Sequence, residues 1–219
     1  GIASEFYFDL NNSTYYGSYF PKENCTNDND ADGIFNHQDL DSDADGLTDD
    51  IDLCPNSRIG VPIDDNGCML SPIYLDDNGV TIKANSWAEV GDTVEIGVVT
   101  YTIVDLDNLK TMISEDKDVT KVVTTLITNM GGLLDNARFT DFNQDISSWD
   151  LSNVTDISGM FYNQKTFNQD ISVWNVSNVK RMVGTFTGTE SFNQPLDSWD
   201  VSNVTDMNSL FWNAKAFNQ

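Results

Sequence analysis

Basic residues are scarce in this chain: 11 lysines and arginines face 35 aspartates and glutamates, for a formal net charge of −24. That balance excludes nucleic acid and anionic membrane surfaces as partners, because both need clustered cations. Histidine is nearly absent, and the single His37 lies inside an acidic run. A serine or cysteine nucleophile therefore has no free base to activate it. No apolar run reaches the roughly 18–20 residues of a membrane span, so membrane insertion is not expected. No signal peptide is recognisable, but the chain opens on Gly1 and reads as a processed piece, so this says nothing about export. The three cysteines lack a C-x-x-C spacing, which argues against a thiolate metal site, and their turn-rich surroundings suit an oxidising compartment. A Gly-rich phosphate loop is also missing.

What is present is a phased acidic run. Ten aspartates fall between Asp28 and Asp52, with no lysine or arginine among them, as D-N-D-A-D-G-I-F-N-H-Q-D, one leucine, then D-S-D-A-D-G-L-T-D-D-I-D. A hard cation takes six to eight oxygens, and a twelve-residue loop supplies them from positions 1, 3, 5, 7, 9 and 12 with glycine at 6. The first loop offers Asp28, Asp30, Asp32, the Ile34 carbonyl, Asn36 and Asp39, with Gly33 at the turn. In the second the roles fall to Asp41, Asp43, Asp45, the Leu47 carbonyl, Asp49 and Asp52, with Gly46 at the turn. A solvated, disordered acidic segment is the alternative. Glycine at position 6 twice in register favours two or more calcium ions, which at the modest affinity of extracellular modules fill only outside the cell.

Position 12 is aspartate rather than the glutamate of an EF-hand, and Leu40 alone separates the loops, leaving no room for flanking helices. Together with D-L-C-P-N at 52–56 and D-D-N-G-C at 64–68, the pattern resembles thrombospondin type 3 repeats of bacterial surface proteins. The resemblance implies a disulfide between Cys54 and Cys68. Cys25 is then free or bonded outside the chain, with a Cys25–Cys54 bridge as the alternative.

The second half repeats. Phe-Asn-Gln recurs at 142, 167, 192 and 217, Trp149, Trp174 and Trp199 keep the same 25-residue step, and so do Phe161, Phe186 and Phe211. A fixed period of this length signals repeats that bury their apolar faces on one another. Alternation around Trp149–Asn153 predicts a short strand. Thr155 and Asp156 then cap a predicted short helix with Ile157, Met160 and Phe161 on one face. The tryptophans are assigned to the core, and the Asn of each Phe-Asn-Gln corner to a column of bonds to backbone. The pattern F-N-Q-D-I-S-x-W-D-L-S-N-V-T-D resembles the BspA-type leucine-rich repeats of bacterial surface proteins. The implied fold is an α/β repeat solenoid, leucine-rich-repeat-like, with a short strand and a short helix per unit. Residues 126–134 read as a degenerate first repeat. Between the calcium loops and the repeats, Tyr74–Ile82 reads as strand, Asn-Gly turn, strand, Thr93–Val104 as β-rich, and Asp107–Glu115 as a helix. The expected divisions are an N-terminal segment 1–22, in which Phe6–Phe20 is either the end of an upstream domain or an added strand, a calcium segment 23–70, a β-rich cap with helix and first repeat 71–138, and repeats 139–219. At Gln219 the array lacks a polar closing element, which predicts that the native protein continues or that another subunit covers this end.

Catalysis is not expected. Asp145, Asp150, Asp170 and Asp200 offer carboxylates, but they come close to recurring at the repeat step, whereas an active site occurs once. Tyr162 and Trp212, at one position of the repeat, are the candidate contacts for a glycan or protein partner, with packing against the neighbouring turn as the plain alternative. The resulting expectation is a non-catalytic, calcium-binding bacterial cell-surface protein for adhesion or surface assembly, binding a protein, a glycan or copies of itself. The alternatives are an accessory region of a secreted hydrolase and a filament subunit.

Overall fold

The computed structural model describes residues 7–8, 15–16, 27–36, 38–135 and 141–219. Cys25, His37, Arg138 and most of the segment 1–22, including Phe6–Phe20 apart from residues 7–8 and 15–16, lie outside the described residues. The chain divides into two units, Gly1–Leu70 and Ser71–Gln219.

In the first unit β1 (Tyr7–Phe8) pairs antiparallel with β2 (Tyr15–Tyr16). From residue 27 onward the backbone is a succession of turns. Its described part is inverted relative to an ordinary protein: Ser42, Asp43, Asp52 and Ser57 are buried, whereas Leu40, Ile51 and Leu53 are 77%, 60% and 74% exposed. Two matching closures set the turns, the Asn36 amide bonding the Asn27 carbonyl at 2.8 Å and the Asp49 amide the Leu40 carbonyl at 2.8 Å. Cys54 and Cys68 are joined by a disulfide, Cα–Cα 5.0 Å.

In the second unit β3 (Ile73–Leu75) and β4 (Ile82–Ala84) form a hairpin whose Asn78-Gly79 turn places Gly79 at φ 71°. Then β5 (Thr93–Ile96) and β6 (Val99–Ile103) form a second hairpin through Gly97, and β7 (Val122–Val123) adds parallel to β6. Between β6 and β7 lies α1 (Leu106–Ser114), capped by Asp105, whose carboxylate accepts the Asn108 amide. α1 buries Leu109 and Ile113, which share one core with Val119, Leu134 and the repeats.

The expected α/β repeat solenoid is not what the chain forms. The described residues hold small sheets and the single helix α1, which precedes the repeats, and no repeat contains the predicted strand or helix. The helix fails because Gly159, Gly184 and Ser209 sit at φ 62°, 61° and 58° inside the predicted helical run, followed by Asn163, Gly188 and Asn213 at 59°, 73° and 57°. A left-handed residue every four positions cannot continue an α-helix. Asp156 does accept the Ser158 amide at 2.8 Å, as a cap would, but a turn follows instead. The strand fails because Trp149 and Val154 bond the carbonyls three residues back, of Ile146 and Leu151.

The backbone groups thus freed bond to the next repeat. Amides of Ile157, Gly159, Phe161 and Asn163 donate to carbonyls of Arg181, Val183, Thr185 and Thr187, and those of Met182, Gly184, Phe186 and Gly188 to Asp206, Asn208, Leu210 and Trp212. Single parallel bridges join Asn129, Asp156, Arg181 and Asp206 in series. Side chains repeat the step. Trp149, Trp174 and Trp199 donate Nε1–H to the Val119, Ile146 and Ile171 carbonyls, and Asn153, Asn178 and Asn203 donate to those of Thr125, Ser152 and Ser177. Asn143, Asn168 and Asn193 accept the amides of Asn168, Asn193 and Asn218, each at 2.9 Å. Inside, Phe161, Phe186 and Phe211 stack at 5.5 and 5.3 Å, and Phe167, Phe192 and Phe217 at 5.7 and 5.9 Å.

One glycine tests this geometry. At Gly188, φ 73°, an added Cβ would strike the Asn163 Oδ1 and lie 3.4 Å from its Cα. Gly188→Ala is expected to destabilise the second unit by about 2 kcal/mol, from left-handed strain plus displacement of Asn163. The denaturant midpoint of the full chain measures it.

Candidate metal centre and repeat surface

Each acidic loop brings its first three aspartates together. Carboxylate oxygens of Asp28, Asp30 and Asp32 lie within 4.8 Å of one another, and those of Asp41, Asp43 and Asp45 do the same. The two loops are built alike. Asp28 Oδ2 accepts the Gly33 amide and Asp41 Oδ2 the Gly46 amide, both at 3.1 Å. Asp32 and Asp45 accept the amides of Ile34 and Leu47 at 2.7 and 2.8 Å. Ala31 and Ala44 adopt φ 61° and 51°, with Gly33 and Gly46 at 96° and 101°. Ninth positions also match: Asn36 accepts the Asn29 amide and Asp49 the Ser42 amide, each at 2.9 Å.

Asp39 and Asp52 sit differently from the first three. Asp39 accepts the amides of Leu40 and Asp41, and Asp52 Oδ1 accepts that of Cys54 at 2.7 Å. A Cβ at Gly67 would strike the Asp52 carboxylate, so the disulfide loop closes tightly over it. Ser42 Oγ bridges the loops, reaching Asp49 Oδ2 at 2.7 Å and the Asn36 carbonyl at 3.1 Å. The Ser57 amide caps Asp43 Oδ2. Neither Ser42 nor Ser57 carries a sequence signal for this, since both roles come from contacts across loops.

The donor set fits a hard divalent cation. Every converging side-chain atom is a carboxylate oxygen, and Asp28 Oδ1, Asp45 Oδ2 and Asp52 Oδ2 are buried without a hydrogen-bond partner. Buried carboxylate oxygens without partners are costly, and a cation is the group that would satisfy them. Burial pushes the Asp43 carboxyl above its ordinary pKa, with Asp45 and Asp52 adding to the rise against the Ser57 amide. For Asp30 the Asp32 amide pulls downward, but burial and the charges of Asp32, Asp39 and Asp28 outweigh it and the pKa rises.

On the repeats, Tyr162 is 40% exposed and Trp212 67%, and at the position between them Thr187 is buried. Asp150 is buried, its Oδ1 held by the Ser152 amide and its Oδ2 unpartnered. The Lys83 ammonium is desolvated, yet its hydrogen bond to Asp76 and the Asp150 charge raise its pKa overall. Asp76 thus holds Lys83 at 3.0 Å. Residues 104–219, more than half of the chain, match one protein family. The chain belongs to the family described as Mycoplasma protein of unknown function, DUF285. The DUF285 match begins at Val104, ahead of α1, and runs through every repeat, so it contains the helix and the repeats and leaves out both acidic loops. No curated protein and no solved structure matches the chain. No helix among the described residues is long and apolar enough to cross a membrane.

Proposed function

We propose that this chain is a non-catalytic, calcium-binding module of a bacterial cell-surface protein, in which an ion-ordered segment of thrombospondin type 3 kind precedes BspA-type repeats that make adhesive or assembly contacts. The observation that carries the calcium reading is the pair of matching three-aspartate clusters with buried, unpartnered oxygens at Asp28 and Asp45. In this reading Asp28, Asp30 and Asp32 hold one ion and Asp41, Asp43 and Asp45 another, with the Ile34 and Leu47 carbonyls, Asn36, Asp39, Asp49 and Asp52 completing the shells. Affinity of about 10⁻⁴ to 10⁻³ M places the loaded state outside the cell. Membership of DUF285 together with the Phe-Asn-Gln period supports the BspA-type assignment. The exposed Tyr162 and Trp212 are the contacts proposed for a glycan or protein partner.

Titration calorimetry with calcium is expected to give at least two sites, with Asp43→Asn removing one and leaving the other. Affinity should fall as the pH is lowered, from a pH above the ordinary aspartate range near about 4, because raised carboxyls take up protons that compete with the ion. For the ion-free segment the sign reverses: folded carboxyls with raised pKa hold protons more tightly than unfolded ones, so its stability rises as the pH falls. A flat heat trace at millimolar calcium would remove the proposal.

A further inference from the structure

Residues 64–68 form a roof over the second acidic loop. The Leu53 amide donates to the Asn66 carbonyl at 2.9 Å and Ser57 Oγ to the Gly67 carbonyl at 2.7 Å, while Gly67 comes so close to the Asp52 carboxylate that a Cβ there has no room. Ser57 faces both ways: its hydroxyl holds Gly67 and its amide caps Asp43 Oδ2. Beneath this roof Asp43 and Asp52 are 1% and 8% exposed, and Asp52 Oδ2 is buried without a partner. The first loop is more open, with Asp28 and Asp30 half-buried and Asp32 exposed. It meets the residues between the cysteines through Asn29 Nδ2, which donates to Asn56 Oδ1, and Asn29 is not among the proposed ligands.

The turn that makes the roof holds itself together. The Asp64 amide donates to the Cys68 carbonyl at 2.9 Å, and Asp64 Oδ1 accepts the amides of Asn66 and Cys68 at 2.8 and 3.1 Å. Its covalent tie to the rest of the segment is the Cys54–Cys68 disulfide, and both cysteines are partly exposed, within reach of a small thiol. Opening the bridge therefore leaves the turn intact and frees it to lift off Ser57 and Asp52.

We propose that the Cys54–Cys68 disulfide is a redox control on the second ion site. With the bridge closed, Ser57 and Gly67 fix Asp43 and Asp52 for the cation; with it reduced, the second site weakens and the first keeps its affinity. This rests on the calcium reading given above. The reductant is a small dithiol. One of its thiolates bonds to a cysteine sulfur and displaces the other as thiolate, its second thiolate then closes a cyclic disulfide, and Cys54 and Cys68 take up two electrons and two protons. Linkage makes the effect reciprocal, so the bound ion resists reduction by the factor by which the bridge tightens the ion.

Calorimetry on the full chain tests each site alone. With Asp30→Asn, which leaves the second site, adding Cys54→Ser and Cys68→Ser is expected to weaken calcium binding about 10-fold. With Asp43→Asn, which leaves the first, the same pair of changes is expected to alter affinity by about twofold or less. Ser57→Ala keeps the amide and the bridge but loses the hydroxyl, and is expected to weaken the second site about threefold. In the unaltered chain, opening the bridge at saturating calcium is expected to need a ratio of reduced to oxidised dithiothreitol about 10-fold higher than with chelator. Equal second-site affinity with and without the bridge, equal loss at both sites, or a reduction midpoint that calcium does not move overturns the redox control and leaves calcium binding standing. Complete loss of the second site in the serine variant supports the control where calcium also shifts the midpoint of the unaltered chain, and overturns it where calcium does not. A chain that takes up no calcium in either redox state overturns the calcium reading and this inference together.

Discussion

Chelating calcium at neutral pH is expected to make residues 27–58 cleavable by protease while residues 71–219 stay resistant. The first unit has no apolar core among its described residues, burying Asp43 and Asp52 and exposing Leu40, Ile51 and Leu53. Without a cation, ten aspartates between 28 and 52 repel one another with no lysine or arginine in that stretch to offset them. The disulfide Cys54–Cys68 closes a short loop and constrains only the end of this segment. On the proposed calcium reading, binding energy of the ion would be folding energy here. The second unit keeps its own core, from Val104 and Leu109 to Phe192 and Trp199. Limited proteolysis with mass spectrometry, with and without chelator, separates the cases. Simultaneous cleavage of both units would sink this account.

Phe186→Ala is expected to cost the second unit about 3–5 kcal/mol, the range for deleting a fully buried aromatic ring. Phe186 has no exposed surface and stacks on Phe161, Phe192 and Phe211 at 5.5, 4.4 and 5.3 Å. Its loss opens a cavity that rings fixed from both sides cannot collapse into. For a unit of this size the midpoint should fall by about 10 °C or more. Trp212→Ala, at 67% exposure, serves as the control and should change stability by about 0.5 kcal/mol or less. Equal effects from the two substitutions would show that the ring file does not hold the repeats together.

Much of this was readable from spacing. Glycine at the sixth position of each acidic loop marks the left-handed turns at Gly33 and Gly46, and the 25-residue step marks the columns of Trp149, Trp174 and Trp199. The Asn78-Gly79 hairpin and α1 were legible from turn chemistry and periodicity, α1 within one residue at each end. The internal conformation of the repeat was not. Ile157, Met160 and Phe161 fall at helical intervals, and all three are buried, but burial comes from left-handed turns at Gly159 and Asn163. Apolar spacing reports which side chains face inward and cannot distinguish a helix from turns that achieve the same facing. In the acidic loops the aspartate clusters were legible, whereas the contacts of Ser42 with Asp49 and of Ser57 with Asp43 join parts that no local pattern links.

The columns of asparagine and tryptophan bonds also restrict how such a chain can change over generations. Asn153, Asn178 and Asn203 each reach a carbonyl of the preceding layer. Extra residues are tolerated only between column positions: the bridge step from Asn129 to Asp156 is two residues longer than those from Asp156 to Arg181 and Arg181 to Asp206, and the Trp149 and Asn153 bonds are still made. Growth or shrinkage by whole copies leaves each of these contacts intact, so the number of repeats can vary by complete copies without loss of any column.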